Sequence, residues 1–200
     1  MKKRLMLTLV ALGVGLNSGV WAASSMNRVG ALAPDRVGKW DLGIGIAASM
    51  NDKTDDSSFV YSQVSYGVTP YIGLGVEAGW QEADLNGTSD ETIGAVPILF
   101  DIIIRVPTVH EAFVPYGILG LGVAGVYDTD ENGAGNNNGD DTDDIGFAWK
   151  LGAGFDWFIN SNWIFNFEFA YWSADVQLVR TAIDDGYDWW TAGVALKYVF

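Results

Sequence analysis

The sequence predicts an all-β protein, an eight-stranded antiparallel up-and-down transmembrane β-barrel, and three observations carry that prediction. The closing stretch 189–200 alternates with period two: Trp190, Ala192, Val194, Leu196, Tyr198 and Phe200 make an apolar face, while Thr191, Gly193 and Lys197 lie on a small or polar one. Stretches of this kind recur eight times, and the connections between them alternate strictly between short and long. The acidic residues gather at the long connections: 18 of the 25 lie in or beside them. Short turns on one side, longer loops on the other and an even strand count are the pattern of a membrane barrel.

At the start of the chain, Met1-Lys2-Lys3-Arg4 is a basic region. An apolar run from Leu5 to Leu16 follows, and small residues flank Trp21 in Val20-Trp21-Ala22. This predicts a signal peptide over 1–22, cleaved after Ala22, because the apolar run falls short of the ~20 residues a spanning helix needs. Cleavage would remove three of the 11 basic residues and none of the 25 acids, moving the net charge from −14 to −17. Zero cysteines in an exported chain leave burial and strand pairing to hold the fold. The acidity argues against a nucleic-acid partner and against docking to anionic lipid by charge alone. With no second long apolar run, any membrane crossing must be made by strands closed into a barrel.

Residues 23–38 read as a periplasmic lead-in, and 39–200 as the barrel. Strands are predicted at 39–49, 58–67, 71–82, 92–106, 113–127, 145–158, 163–176 and 188–200. In the third, Ile72, Leu74, Val76, Ala78 and Trp80 oppose Gly73, Gly75, Glu77 and Gly79. In the sixth, Phe147, Trp149, Leu151, Phe155 and Trp157 oppose Gly146, Lys150, Gly152, Gly154 and Asp156. In the seventh, Trp163, Phe165, Phe167, Phe169 and Tyr171 oppose Asn166 and Glu168. The bulky face is expected to meet lipid. The phase of the second strand is left open by Ser62 and Gln63. Aromatic residues near strand ends predict two girdles. Trp40, Tyr71, Tyr116, Trp157, Trp163 and Tyr198 would form the periplasmic one, and Phe59, Trp80, Tyr127, Tyr171 and Trp190 the outer one. With short turns at the periplasmic side, both termini are expected there.

An eight-stranded barrel has an interior just wide enough for its own side chains. The inward set is Lys39, Asp41, Glu77, Asp101, Arg105, Lys150, Asp156, Glu168 and Lys197. Buried charges must pair, so a network is expected. Glu77, Lys150 and Glu168 should sit near mid-height, and Asp41, Arg105, Asp156 and Lys197 nearer the periplasm. Such a layer is either a polar plug that fixes register or a gate that opens by re-pairing. No apolar funnel pattern stands out among the inward positions.

Three motifs invite other chemistry. Gly120-Leu121-Gly122-Val123-Ala124-Gly125 matches the dinucleotide fingerprint literally, but it lies inside a predicted strand and no helix follows to meet a pyrophosphate. Asp128, Asp130 and Asn132 match the first half of a calcium loop, which places a candidate Ca2+ site in the acidic stretch 128–144. Gly139 stands where the bidentate glutamate belongs, so Asp140, Asp141, Asp143 and Asp144 would have to complete the shell. The single histidine, His110, has Glu111 beside it and no nearby serine, which does not make a hydrolytic triad. The expectation is a protein that is not an enzyme.

The stretches Val114-Pro115-Tyr116-Gly117 through Gly125, Gly146 through Asp156-Trp157-Phe158-Ile159-Asn160-Ser161-Asn162-Trp163, and the closing strand resemble the small bacterial outer-membrane barrels. The chain is most similar to the OmpW-like and general outer-membrane β-barrel domain families. The resemblance implies a narrow channel for small hydrophobic compounds with a lateral exit to the bilayer. It also implies that Tyr198 and Phe200, an aromatic-x-aromatic terminus, form the signal read by the barrel-assembly machinery. The expected setting is the bacterial outer membrane, with lipid and lipopolysaccharide as neighbours. Against the channel stands a structural or adhesive surface barrel whose acidic loops bind divalent ions, lipopolysaccharide or host ligands. A soluble lipocalin-type binder is a third possibility. The oligomeric state is left open.

Overall fold

The computed structural model describes residues 36–51, 54, 56–84, 91–106, 112–130, 144–176 and 186–200. The predicted signal peptide, most of the lead-in, His110, Asn132 and the body of the acidic stretch lie outside these residues.

Eight strands follow one another: β1 (Trp40–Met50), β2 (Ser57–Gly67), β3 (Ile72–Asp84), β4 (Glu91–Arg105), β5 (Phe113–Asp130), β6 (Asp144–Phe158), β7 (Trp163–Ala174) and β8 (Tyr187–Val199). Each pairs antiparallel with its sequence neighbour, and β8 returns to β1, closing the barrel. The closing register sets Asp41 against Val199 and Lys197 against Gly43. Phe200 completes the seam, its N–H donating to the Trp40 carbonyl at 3.0 Å. Closure leaves no sheet edge unpaired.

Two of the short connections are held by side chains that stand in for ladder bonds. Asn160 Oδ1 accepts from the N–H groups of Asn162 and Trp163, both at 2.9 Å, which turns the chain from β6 into β7. Thr69 Oγ1 does the same between β2 and β3, accepting from Ile72 N–H at 2.9 Å.

Alternation decides the two faces. In β1 every second residue is buried, and Ile44, on the opposite parity, is 65 % exposed. Leu151, Phe147, Val76, Phe100 and Phe169 stand outward in the same way. This apolar belt runs around the whole wall, far beyond the patch a water-soluble monomer exposes. In β2 the parity left open by the sequence is settled: Phe59, Tyr61, Gln63 and Ser65 point inward.

One ladder lapses. Pairing of β3 with β4 runs from Ile72↔Ile104 to Ala78↔Ile98 and resumes at Gln81↔Ala95, in the same register. The missing partners are Gly79 and Trp80 on β3, and Val96 and Pro97 on β4. Pro97 has no N–H to donate, so it cannot complete a rung there. Phe59 from β2 lies over the inner side of the lapse. A Cβ on Gly79 would fall 2.1 Å from its Cζ, so only glycine lets the ring close down on the wall.

Candidate functional site

The lumen has two halves of different chemistry. Toward the long connections it is apolar. Phe59, Tyr61, Ile93, Leu99, Trp172, Tyr187 and Trp189 belong to one buried cluster. Trp172 and Trp189 stack at 5.5 Å, and Phe59 meets Trp172 edge-on at 5.2 Å. This apolar half was not evident in the sequence, because these residues are scattered one or two to a strand and lie near loop boundaries. Tyr61 Oη, Gln81 Oε1 and Trp189 Nε1 are buried there without a hydrogen-bond partner among the described residues.

Below it lies a charged layer. Lys150, on β6, is fully buried with Nζ 2.9 Å from Glu77 Oε2, 3.3 Å from Glu168 Oε1 and 3.7 Å from Asp101 Oδ2. Its ammonium also sits 4.9 Å from the centre of the Trp172 ring, joining the charged layer to the apolar half. Gln63 Nε2 donates to Asp101 at 2.9 Å and to Glu77 at 3.2 Å, which ties two like charges together. Tyr116 Oη donates to Glu168 Oε2 at 2.8 Å, and Asn166 Nδ2 donates to Tyr116 Oη and to Asp156 Oδ1, each at 2.8 Å. Through Asn166 the layer runs on to the end of the barrel where the connections are short. There Asp156 faces Lys197 at 3.6 Å and Arg36 at 2.8 Å, and Arg36 also pairs with Asp41. Ser65 Oγ adds a bond to Asp41 at 2.7 Å.

The structure therefore places Asp41, Glu77, Asp101, Arg105, Lys150, Asp156, Glu168 and Lys197 inside the barrel. Seven of them join the ion pairs just given. Arg105 is buried beside them with Nε and Nη1 unpartnered among the described residues. Lys39 is a correction: it is exposed. Gly38 adopts φ 75°, and Lys39 N–H bonds back to the Arg36 carbonyl at 3.1 Å, so the chain turns before β1 begins and carries Arg36 inward instead. Phe59 and Tyr116 are also corrected. Their position near strand ends suggested girdles, but their parity is inward, and they are 1 % and 4 % exposed.

Sequence reasoning missed Arg36, which it assigned to the lead-in, along with Gln63, Ser65 and Tyr116 as members of the network. The parity of Phe59 and Tyr61 with Gln63 and Ser65 was the available signal for β2. For Arg36 the only local hint was Gly38. Asp128 and Asp130 fall at the end of β5. Asn132 lies outside the described residues, and among the described residues no group of three or more candidate ligands could hold a metal. Tyr198 and Phe200 both face outward, 40 % and 63 % exposed, with Trp163 packed on Tyr198 at 4.9 Å. Gly120 to Gly125 lie within β5, and the next described element is the strand β6.

The outer membrane protein beta-barrel domain family matches residues 19–200. Among solved structures, the outer membrane protein OprG of Pseudomonas aeruginosa superimposes with TM-score 0.55 at 19 % identity, covering 85 % of this chain and 99 % of that one. The Escherichia coli outer membrane protein W gives 0.52 at 19 % identity, covering 82 % and 99 %. Ail, the attachment invasion locus protein of Yersinia pestis, gives 0.53 at 16 % identity, covering 82 % and 99 %. No curated protein matches the sequence.

Proposed function

The chain belongs to the outer membrane protein β-barrel domain family, and from that premise we propose that it passes small apolar solutes sideways, from the outer half of its lumen into the bilayer. The single observation that carries this is the lapse in the β3–β4 ladder at Gly79, Trp80, Val96 and Pro97. A solute entering from the long-connection side meets aromatic and aliphatic side chains. It cannot go straight on, because the charged layer fills the lumen below and would have to be desolvated and broken apart. At the lapse two residue pairings are missing from the ladder, and the Phe59 ring covers its inner side. The long connections face the cell exterior in this account, and the short ones, with Arg36 and Asp41, face the periplasm. No side chain here is required to do covalent chemistry.

The test is uptake of a hydrophobic fluorescent dye by proteoliposomes. The wild-type protein should speed uptake over empty liposomes, while liposome swelling in a polar sugar should stay at background. Pro97→Val supplies the missing N–H, and the uptake rate should then fall about fivefold, since one restored hydrogen bond adds about 1 kcal/mol to closing the wall. Wild-type uptake at the empty-liposome rate ends the proposal.

A second reading is a surface barrel for attachment or for divalent ions, and the acids crowded at the long connections favour it. One neighbour, Ail, has been solved in complex with the heparin analogue sucrose octasulfate. That ligand is a polyanion, and a chain of net charge −14 would repel it. On this reading the outer connections would take cations or cationic ligands. Calorimetry with millimolar calcium separates the two: heat that disappears when 131–143 are deleted supports the second.

A further inference from the structure

The base of the barrel holds more cations than its carboxylates need. Arg36 and Lys197 pair with Asp41 and Asp156, and Arg105 is buried in the same lumen: a Cβ on Gly73, the residue paired with Gly67, would fall 2.8 Å from its Nη1. Arg36 takes both acids, with Nη1 on Asp156 Oδ2 at 2.8 Å and Nη2 on Asp41. Arg105 is buried, and among the described residues its Nε and Nη1, like Asp41 Oδ1, have no hydrogen-bond partner. A buried guanidinium with idle donors in the same lumen as carboxylates held by another arginine is a poor resting arrangement unless the two can trade places.

We propose that Arg36 and Arg105 are alternative partners of Asp41 and Asp156, and that this exchange lets the segment Arg36–Lys39 close or vacate the base of the lumen. Three features of that segment fit a part that docks rather than one built into the wall. It is held at β2 by an isolated bridge between Val37 and Gly67 and by the bonds Gly38 N–H to Gly67 O at 2.8 Å and Gly67 N–H to Lys39 O at 3.0 Å. Its seat exists only because residue 67 is glycine: a Cβ there would lie 1.9 Å from the Arg36 carbonyl oxygen. Its turn depends on Gly38 at φ 75°. Withdrawing Arg36 leaves two cations and two anions, so no carboxylate is stranded if Arg105 swings onto them. The proposal does not depend on solute passing through the β3–β4 lapse.

Hydrogen exchange on the intact protein in nanodiscs, read by mass spectrometry over residues 37–40, tests it. Arg36→Gln should speed exchange there. Arg105→Gln should slow it about tenfold, because the open form then leaves Asp41 without a charged partner, Lys197 remaining on Asp156. Arg105→Lys should bring the rate back toward wild type. If Arg105 only fills space, Arg105→Gln will leave the rate unchanged or raise it, and either result overturns the proposal. Unaltered protection in β7 shows that each variant has folded. Should Arg36→Gln fail to fold, Gly67→Ala keeps both arginines and unseats the segment. It should raise exchange at 37–40, and adding Arg105→Gln should shrink that rise about tenfold; a rise that does not shrink overturns the exchange.

Discussion

Lys150 shows what a single side chain does here. It is a fully buried ammonium facing three carboxylates, and Gln63 and Tyr116 keep the surplus negative charge tied down. Lys150→Met keeps the bulk and removes the charge, leaving Glu77, Asp101 and Glu168 facing one another in the lumen. The unfolding free energy, measured by urea titration in detergent micelles, should fall by about 3–5 kcal/mol. Glu168→Gln keeps an acceptor for Tyr116 and eases the crowding of acids, so its cost should stay within about 1 kcal/mol. Alternation in the sequence points Lys150, Glu77 and Glu168 to one face, because period two leaves a strand residue only two directions. It does not say which acid meets which base. That depends on stagger between strands far apart in the chain, and on neutral linkers such as Asn166 whose role appears only when the barrel is closed.

At the scale of the strand, the ladder and its turns set what can open. Asn160 makes the β6–β7 turn by accepting two backbone N–H groups. Asn160→Ala should cost about 1 kcal/mol in the same titration and leave dye uptake untouched, since this turn is at the other end from the apolar half. All eight strands were legible: β7 begins at Trp163 in both prediction and structure, and β2 differs by one residue at its start. Side chains that alternate so strongly admit one phase per strand. β5 runs on to Asp130, past the predicted end at 127, because β4 continues as its partner to Glu91↔Asp130 and extends the ladder beyond the alternating apolar residues. The lapse at Pro97 was not legible, since whether a proline opens a wall depends on which neighbour's carbonyl lacks its N–H. Arg36 escaped for a similar reason: its burial comes from a turn at Gly38 and a clearance at Gly67, neither of which is periodic.

As a whole, the molecule is an inverted globule. Its large apolar side chains face outward around a closed wall, and most of the charges buried within are paired. Charge at its base closes the straight route, and greasy packing fills its other half. On the proposed reading, an apolar guest leaves sideways, through the wall at the β3–β4 lapse. Because the chain contains no cysteine, a thiol can be placed at will. Val96→Cys sits outward at the lapse, and Ile44→Cys sits outward on β1, away from it. Each variant is labelled with a bulky maleimide before reconstitution, and dye uptake by the proteoliposomes is then compared with and without label. Uptake should drop to the empty-liposome rate for labelled Val96→Cys and stay at its unlabelled rate for Ile44→Cys; equal uptake through both labelled proteins would contradict a lateral exit between β3 and β4.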